Sequence, residues 1–331
     1  AALQCTGETV GCGECAGCRT TMGRTNADVV FAATETSIIN VETARSLVLQ
    51  AQSSPSQGLW RVIVVEDADR LGESGANALL KAIEEPPEHT VWLLCAPSPE
   101  DMIATIRSRC RHLGLRIPTA AAVADLLVRE GVATPEVALE AARAAQSHIG
   151  LARALARDPQ MRERRRAIIT APASVRSVGE AVMAADRLLE TAKAQADAQV
   201  SERNAREKAE LMRQLGMDEG ESATKASRTM IRQLEEDQKR RSKRALTDAI
   251  DRALIDLLAI YRDVLMVQVG GDGELINTDL ADLVHEIAQD STPRQTLARV
   301  DHIETARKRL VSNGNPLLVL EDMAISLRPQ A

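Results

Sequence analysis

Apolar positions in the first third of this chain fall in short unbroken runs. The clearest are Val29-Val30-Phe31 behind Asp28, Val62-Ile63-Val64-Val65, and Val91-Trp92-Leu93-Leu94-Cys95-Ala96. A β-branched run of that length suits a strand buried on both faces, as in a parallel sheet. Between the runs, Val41–Gln50 and Asn77–Glu85 read as helices, the second stopped by Pro86-Pro87. Ser53–Gly58 is a polar turn leading into the central strand. The acidic stretch Glu66-Asp67-Ala68-Asp69 follows that strand at its carboxyl end, where open α/β sheets bind ligands. Strand, acidic turn, helix and strand together predict half of a nucleotide-binding α/β domain.

After Cys110 the spacing becomes helical. Thr119–Gly131, Pro135–Ala145 and a segment from His148 to Leu155 predict a small three-helix domain, with a break near Asp158-Pro159. From about Ala171 the pattern predicts a separate all-helical domain. Its residues from about 190 to 245 are a charged insert, read as a helical hairpin with a partly disordered tip at Gly216–Ser222. Leu246, Ile250, Leu254, Leu257, Leu258, Tyr261 and Leu265 then form an apolar face that needs a partner. Gly270-Gly271-Asp272-Gly273 ends that helix; Asp279–Gln289, Pro293–Ser312 and Leu317–Leu327 predict three more.

Composition sharpens this picture at two points. With 331 residues the chain holds two or three domains. One Phe, one Tyr and two Trp are too few for a base-stacking platform, and a net charge of −6 argues against an independent nucleic-acid binder. No run approaches eighteen apolar residues and no charged-then-apolar leader opens the chain, so a cytoplasmic protein without membrane association is expected.

Cys5, Cys12, Cys15 and Cys18 are spaced C-x6-C-x2-C-x2-C, with Gly7, Gly11, Gly13 and Gly17 to make the tight turns between them. Four thiolates at this density match a closed tetrahedral Zn2+ site. An iron–sulfur cluster, unliganded thiols and disulfides are the alternatives. With no open coordination position, the metal's role is structural. Cys95 and Cys110 read as small buried residues.

Four motifs stand in register between Arg61 and Cys110: Glu66-Asp67-Ala68-Asp69, Asn77-Ala78-Leu79-Leu80-Lys81, Glu84-Glu85-Pro86-Pro87, and Thr105-Ile106-Arg107-Ser108-Arg109-Cys110. In that order they resemble the clamp-loader branch of the AAA+ family. The resemblance implies an AAA+ P-loop-type parallel sheet core over 1–114 that carries the zinc module at about 5–18. It implies a helical lid over 115–170 and an all-α collar over 171–331 that holds a five-subunit ring together. It also implies as partners the other clamp-loader subunits of a hetero-pentamer, the sliding clamp, and primed DNA reached through the complex.

Active members of that family hold ATP and Mg2+ with a phosphate loop, a strand-end Asp-Glu pair and a polar sensor residue. This chain contains no G-x-x-x-x-G-K-[ST] and begins at Ala1, as though inside a helix, so a missing natural amino terminus is expected. Its acids are inverted, Glu66-Asp67, a degenerate Walker B pair that by itself also reads as ordinary helix-start acids. The inversion moves each carboxylate by roughly an ångström, enough to cost about a hundredfold in rate. Ala96 occupies the sensor position, and Ser98 falls two residues beyond it. These departures weaken hydrolysis in cis and make the chain's own nucleotide site doubtful.

In the family, the Ser-Arg-Cys triplet supplies an arginine to the ATP of the neighbouring subunit. Ser108-Arg109-Cys110 matches it, although flanking Arg107 and Arg111 also permit a plain surface arginine. Arg153 falls near the lid arginine that touches nucleotide in active relatives, where a solvated helix residue is the simpler reading. The basic clusters Arg162–Arg166, Lys239–Arg244 and Arg107–Arg116 lie near acids and read first as solvated faces, second as phosphate contacts. The histidines show no ligand or nucleophile spacing. The resemblance therefore implies a poorly hydrolysing ring member. Two rivals remain: a motor ATPase whose phosphate loop precedes Ala1, and a zinc-dependent DNA-binding regulator.

Overall fold

The computed structural model describes residues 1–32, 38–215 and 225–328. The chain divides into two compact units, Ala1–Leu115 and Arg116–Ala331.

The first unit is built on three parallel strands, β1 (Val29–Ala32), β2 (Arg61–Val65) and β3 (Thr90–Leu94), in the order β1-β2-β3. Val29 pairs with Val62 and Arg61 with Thr90, so the apolar runs lie side by side. Four helices accompany them: α1 (Ala16–Met22), α2 (Val41–Ala51), α3 (Glu73–Glu84) and α4 (Ala104–Arg107). The Asn40 side chain caps α2 by accepting from the Thr43 N–H at 2.8 Å, a use that favours Asn over apolar residues. Ile63 and Val65 pack beneath Ala44 and Leu47 of α2, Ala76 and Leu79 of α3, and Ile106 of α4.

The opposite face of the sheet departs from expectation. Val29, Phe31, Val62, Val64 and Leu93 line an open groove of about 500 Å3, and Leu93 is 45% exposed. Among the described residues, Ala1–Gln4, Thr21, Met22 and Arg24 line the same groove, and the burial read from the apolar runs is complete for Val29 and Val62 but partial for Leu93. Cys95 and Cys110 also differ from expectation, because both are exposed. Each lies just beyond its element, Cys95 after the last residue of β3 and Cys110 after the turn that ends α4, where alternation no longer directs a side chain inward.

The loop before β2 is fastened by one carboxylate. Fully buried Asp28 accepts from the backbone N–H groups of Ser56, Gln57 and Gly58 at 2.6–2.7 Å and from the Ser56 hydroxyl at 2.9 Å. Burial alone would raise its pKa, but these donors hold it down to about 2.

The second unit is helical. Helices α5 (Ala120–Arg129), α6 (Pro135–Ala144) and α7 (Ile149–Arg157) close on a cluster of Val123, Leu127, Leu155 and several alanines, whose small side chains bring helices near. His148 caps α7, its Nδ1 accepting from the Leu151 N–H at 3.1 Å. The division expected at 170/171 falls inside α8 (Pro159–Ser174), and Ile169 on that helix already belongs to the larger core.

That core is formed with α9 (Val178–Gln214), α10 (Lys225–Gln268), α11 (Ala281–Gln289), α12 (Pro293–Val311) and α13 (Pro316–Leu327). Ile250, Leu254, Leu257, Ile260 and Tyr261 of α10 meet Leu189, Ile303, Leu320 and Met323. The partner of the apolar face is thus this chain's own helices. The part of the charged segment from Lys225 onward and the apolar face, which read as separate stretches, are one continuous helix of 44 residues. It runs antiparallel to α9, with Ala196 and Val200 against Ala245, and with Arg241 donating to Asn204 and Glu207. The tip expected at Gly216–Ser222 lies outside the described residues. Among those described, no helix is long and apolar enough to cross a membrane.

Candidate functional site

The four cysteines come together. Their Sγ atoms all lie within 4.8 Å of one another, Cys5 to Cys12 at 3.7 Å and Cys5 to Cys15 at 3.9 Å. A tetrahedron of ~2.3 Å Zn–S bonds has sulfurs about 3.8 Å apart, so the spacing fits a zinc ion. Two turns aim the sulfurs: the Cys15 N–H points at Cys12 Sγ, and the Cys18 N–H at Cys15 Sγ, each at 3.4 Å. Cys15 is also the cap of α1, which fixes Cys18 one turn inside that helix. Gly7 is required, since a Cβ there would stand 2.9 Å from Cys12 Sγ; Gly13 turns the chain at φ +80°.

The electrostatics match. Backbone N–H groups of Thr6 and Cys18 pull the Cys15 thiol down to about 5, and those of Cys12 and Gly7 lower Cys5. For Cys18 the Gly13 N–H acts the same way, but burial and the other three thiols outweigh it and push the group up to about 11. Four sulfurs this close cannot all ionise alone; a dication removes the conflict. Cys5, Cys12, Cys15 and Cys18 would hold that ion, which would supply folding energy.

A second group of charged residues lies at the carboxyl end of the sheet. Glu66 follows β2, and its N–H donates to the Ala32 carbonyl at 3.0 Å. Its carboxylate is gripped by Arg24, Nη2 to Oε1 at 2.5 Å and Nη1 to Oε2 at 3.3 Å. The Arg24 guanidinium in turn lies over the Phe31 ring, 4.8 Å from its centre. Asp67 starts the short turn Ala68–Arg70, tied to β3 by the Ala68 N–H and the Cys95 carbonyl at 2.8 Å. The Ser98 hydroxyl donates to the Glu100 carboxylate and caps the turn Pro99–Asp101 by accepting from the Glu100 N–H at 3.4 Å.

Arg109 stands just past α4. Its Nε donates to the Glu84 carboxylate at the end of α3, and its Nη1 to the Thr105 carbonyl at 2.8 Å and to Ser108 Oγ at 3.2 Å. Arg107 is turned elsewhere, donating to the Pro99 carbonyl at 3.2 Å. In the second unit Arg153 forms a two-pronged pair with Glu130, at 3.0 and 2.9 Å.

The basic clusters are largely engaged within the chain. Arg162 donates to the Leu155 and Ala156 carbonyls that end α7, Arg164 pairs with Asp158, and Arg166 with Asp279. Arg165 is buried and bonds to Asp256 and Asn277. Lys243 reaches Asn313, and Arg240 pairs with Asp237. Sequence reasoning missed Arg24, Glu84 and Arg165 as partners. Arg165 had one available signal, its place four residues before buried Ile169 on the same helical face.

Residues 1–119 match the protein family described as DNA polymerase III, delta subunit. Among curated proteins, the DNA polymerase III subunit delta' of Yersinia pestis is 39% identical over 112 residues, 33% of each chain. That of Escherichia coli K12 is 34% identical over 146 residues, 44% of each chain. The gamma/tau subunit of Mycobacterium tuberculosis H37Rv is 38% identical over 89 residues, 27% of this chain and 15% of that one. The matches to the two delta' subunits span between a third and under a half of those proteins' length. A solved DNA polymerase III gamma subunit-related protein from Thermotoga maritima aligns over 91% of this chain and 83% of that one, with 17% identity and a TM-score of 0.41. The clamp-loader resemblance carried by the motifs from Glu66 to Cys110 is thereby borne out: residues 1–119 match the DNA polymerase III delta-subunit family, and this part of the chain is similar to the delta' subunits.

Proposed function

We propose that this chain is a clamp-loader subunit of the replicative DNA polymerase III, acting in the cytoplasm as a poorly hydrolysing member of a hetero-pentameric ring. It offers Arg109 in trans to the ATP and Mg2+ of a neighbouring subunit and helps load the sliding clamp on primed DNA. Residues 1–114 serve as the AAA+ core, 115–170 as the lid and 171–331 as the collar; zinc on Cys5, Cys12, Cys15 and Cys18 is structural.

One observation carries this reading. The Arg109 guanidinium is 37% exposed yet ordered by three acceptors of its own chain, with Nη2 bonded to nothing among the described residues. A fixed cation with an unused fork suits the charge that develops on a transferring phosphoryl group. The grip of Arg24 on Glu66 supports poor hydrolysis in cis, since Mg2+ would have to displace that guanidinium to reach the carboxylate. Arg153, bound to Glu130, is assigned no nucleotide contact.

The test is Arg109→Ala in the protein assembled with its neighbouring ATPase subunits. Assembly stays intact by native mass spectrometry, and turnover at the completed site falls on the order of a thousandfold. Unchanged turnover removes the trans arginine and leaves a scaffold.

A further inference from the structure

We propose that Glu84 is the positioning residue for Arg109, an inference that rests on the trans-arginine reading above. A guanidinium is planar and rigid, so fixing two of its three nitrogens fixes the direction of the third. Glu84 fixes Nε, and the Thr105 carbonyl with Ser108 Oγ fixes Nη1. Nη2 is then set in direction before any phosphate arrives, and the ordering of a long side chain is complete before the encounter.

The scaffold behind the pair is stiff. Glu84 is the last residue of α3, with Pro86-Pro87 immediately beyond its cap, and Arg109 follows the turn that ends α4. Leu79 of α3 and Ile106 of α4 are both fully buried in one cluster, so the two ends share a core. The pair itself is open to solvent, with 37% and 42% of the side chains exposed. Such a pair contributes little to folding stability, which leaves aim as its effect.

The experiment uses the full-length protein assembled with its neighbouring ATPase subunits, clamp and primed DNA, and reads kcat and KM for ATP. Glu84→Ala lowers kcat roughly three- to tenfold with KM unchanged, as expected for coupled neighbours. Glu84→Gln, which keeps an acceptor oxygen for Nε, recovers part of the loss. On an Arg109→Ala background, Glu84→Ala has no further effect. Wild-type or raised kcat in Glu84→Ala overturns the proposal, as does an equal loss in both backgrounds; either leaves Arg109 in its role. If Arg109→Ala itself changes nothing, the trans-arginine reading falls and takes this inference with it.

Discussion

The Nε of Arg165 lies 3.0 Å from Oδ1 of Asp256, with 10% and 8% of the two side chains exposed. The pair does not stand alone. Arg165 Nη2 reaches Asn277 Oδ1 at 2.6 Å, and the Asn277 side chain donates to fully buried Asp263 at 2.9 Å. Asp263 also accepts from the Ile276 and Asn277 N–H groups. A single network thus joins α8, α10 and the segment after Gly273. Burial raises the Asp256 pKa, and Arg165 works against that shift.

Removing one partner strands the other in a dry interior. Arg165→Ala is therefore expected to destabilise the second unit by about 3–5 kcal/mol, measured by urea unfolding followed by circular dichroism. The double variant Arg165→Met with Asp256→Leu recovers only part of that loss, because it removes the ion pair cleanly but still strands the buried Asn277 Oδ1.

Asp28 sets an acid limit for the first unit. Its carboxyl is held down to about 2 in the folded chain against an ordinary 3.8. Its contribution is complete above the ordinary value and is lost as pH falls through the folded one. Asp28→Asn should cost about 2 kcal/mol at neutral pH and flatten stability between roughly pH 4 and 2. Chemical unfolding across that range checks both.

Zinc should be measurable apart from any replication assay. The purified protein is expected to release zinc to a colorimetric chelator after thiol modification, with no iron–sulfur absorbance. Cys15→Ser should lose the metal and loosen residues 1–22, read as faster amide exchange there, since metal binding and local folding are coupled.

The α9–α10 contact is close because it is made of small residues. Ala196 is 2% exposed and lies in one cluster with Ala245. Ala196→Leu should lower stability by about 1–3 kcal/mol through overpacking, seen as a drop in Tm. Substitution of exposed Arg206 to Ala should change it by less than about 0.5 kcal/mol.

Much of this was legible in the sequence, for physical reasons that differ by residue. The run Val62–Val65 announced a strand because β-branched side chains suit few other settings, and the spacing of the four cysteines announced a cluster of converging sulfurs that could hold a metal ion. Side-chain pairing was not legible. Nothing in Arg162–Arg166 marks which arginine is buried, since the deciding acid, Asp256, stands 91 positions away. The unbroken α10 was hidden for a similar reason. Its outer part repeats charge and its inner part repeats Leu and Ile, and composition changes without any break in the backbone. Exposed Cys95 and Cys110 show the converse error, small residues assigned inward where the elements carrying them had already ended.

That continuity gives the second unit a lever. At 1.5 Å per residue, α10 is a rod about 65 Å long. Its inner half is held by α8, α11 and α12, while its outer half runs beside α9. A tilt of a few degrees in the clamped half, too small to disturb the packing of Leu254 or Ile260, would swing the distant end by several ångströms. Small repacking at one end of this helix is thus magnified into displacement at the other.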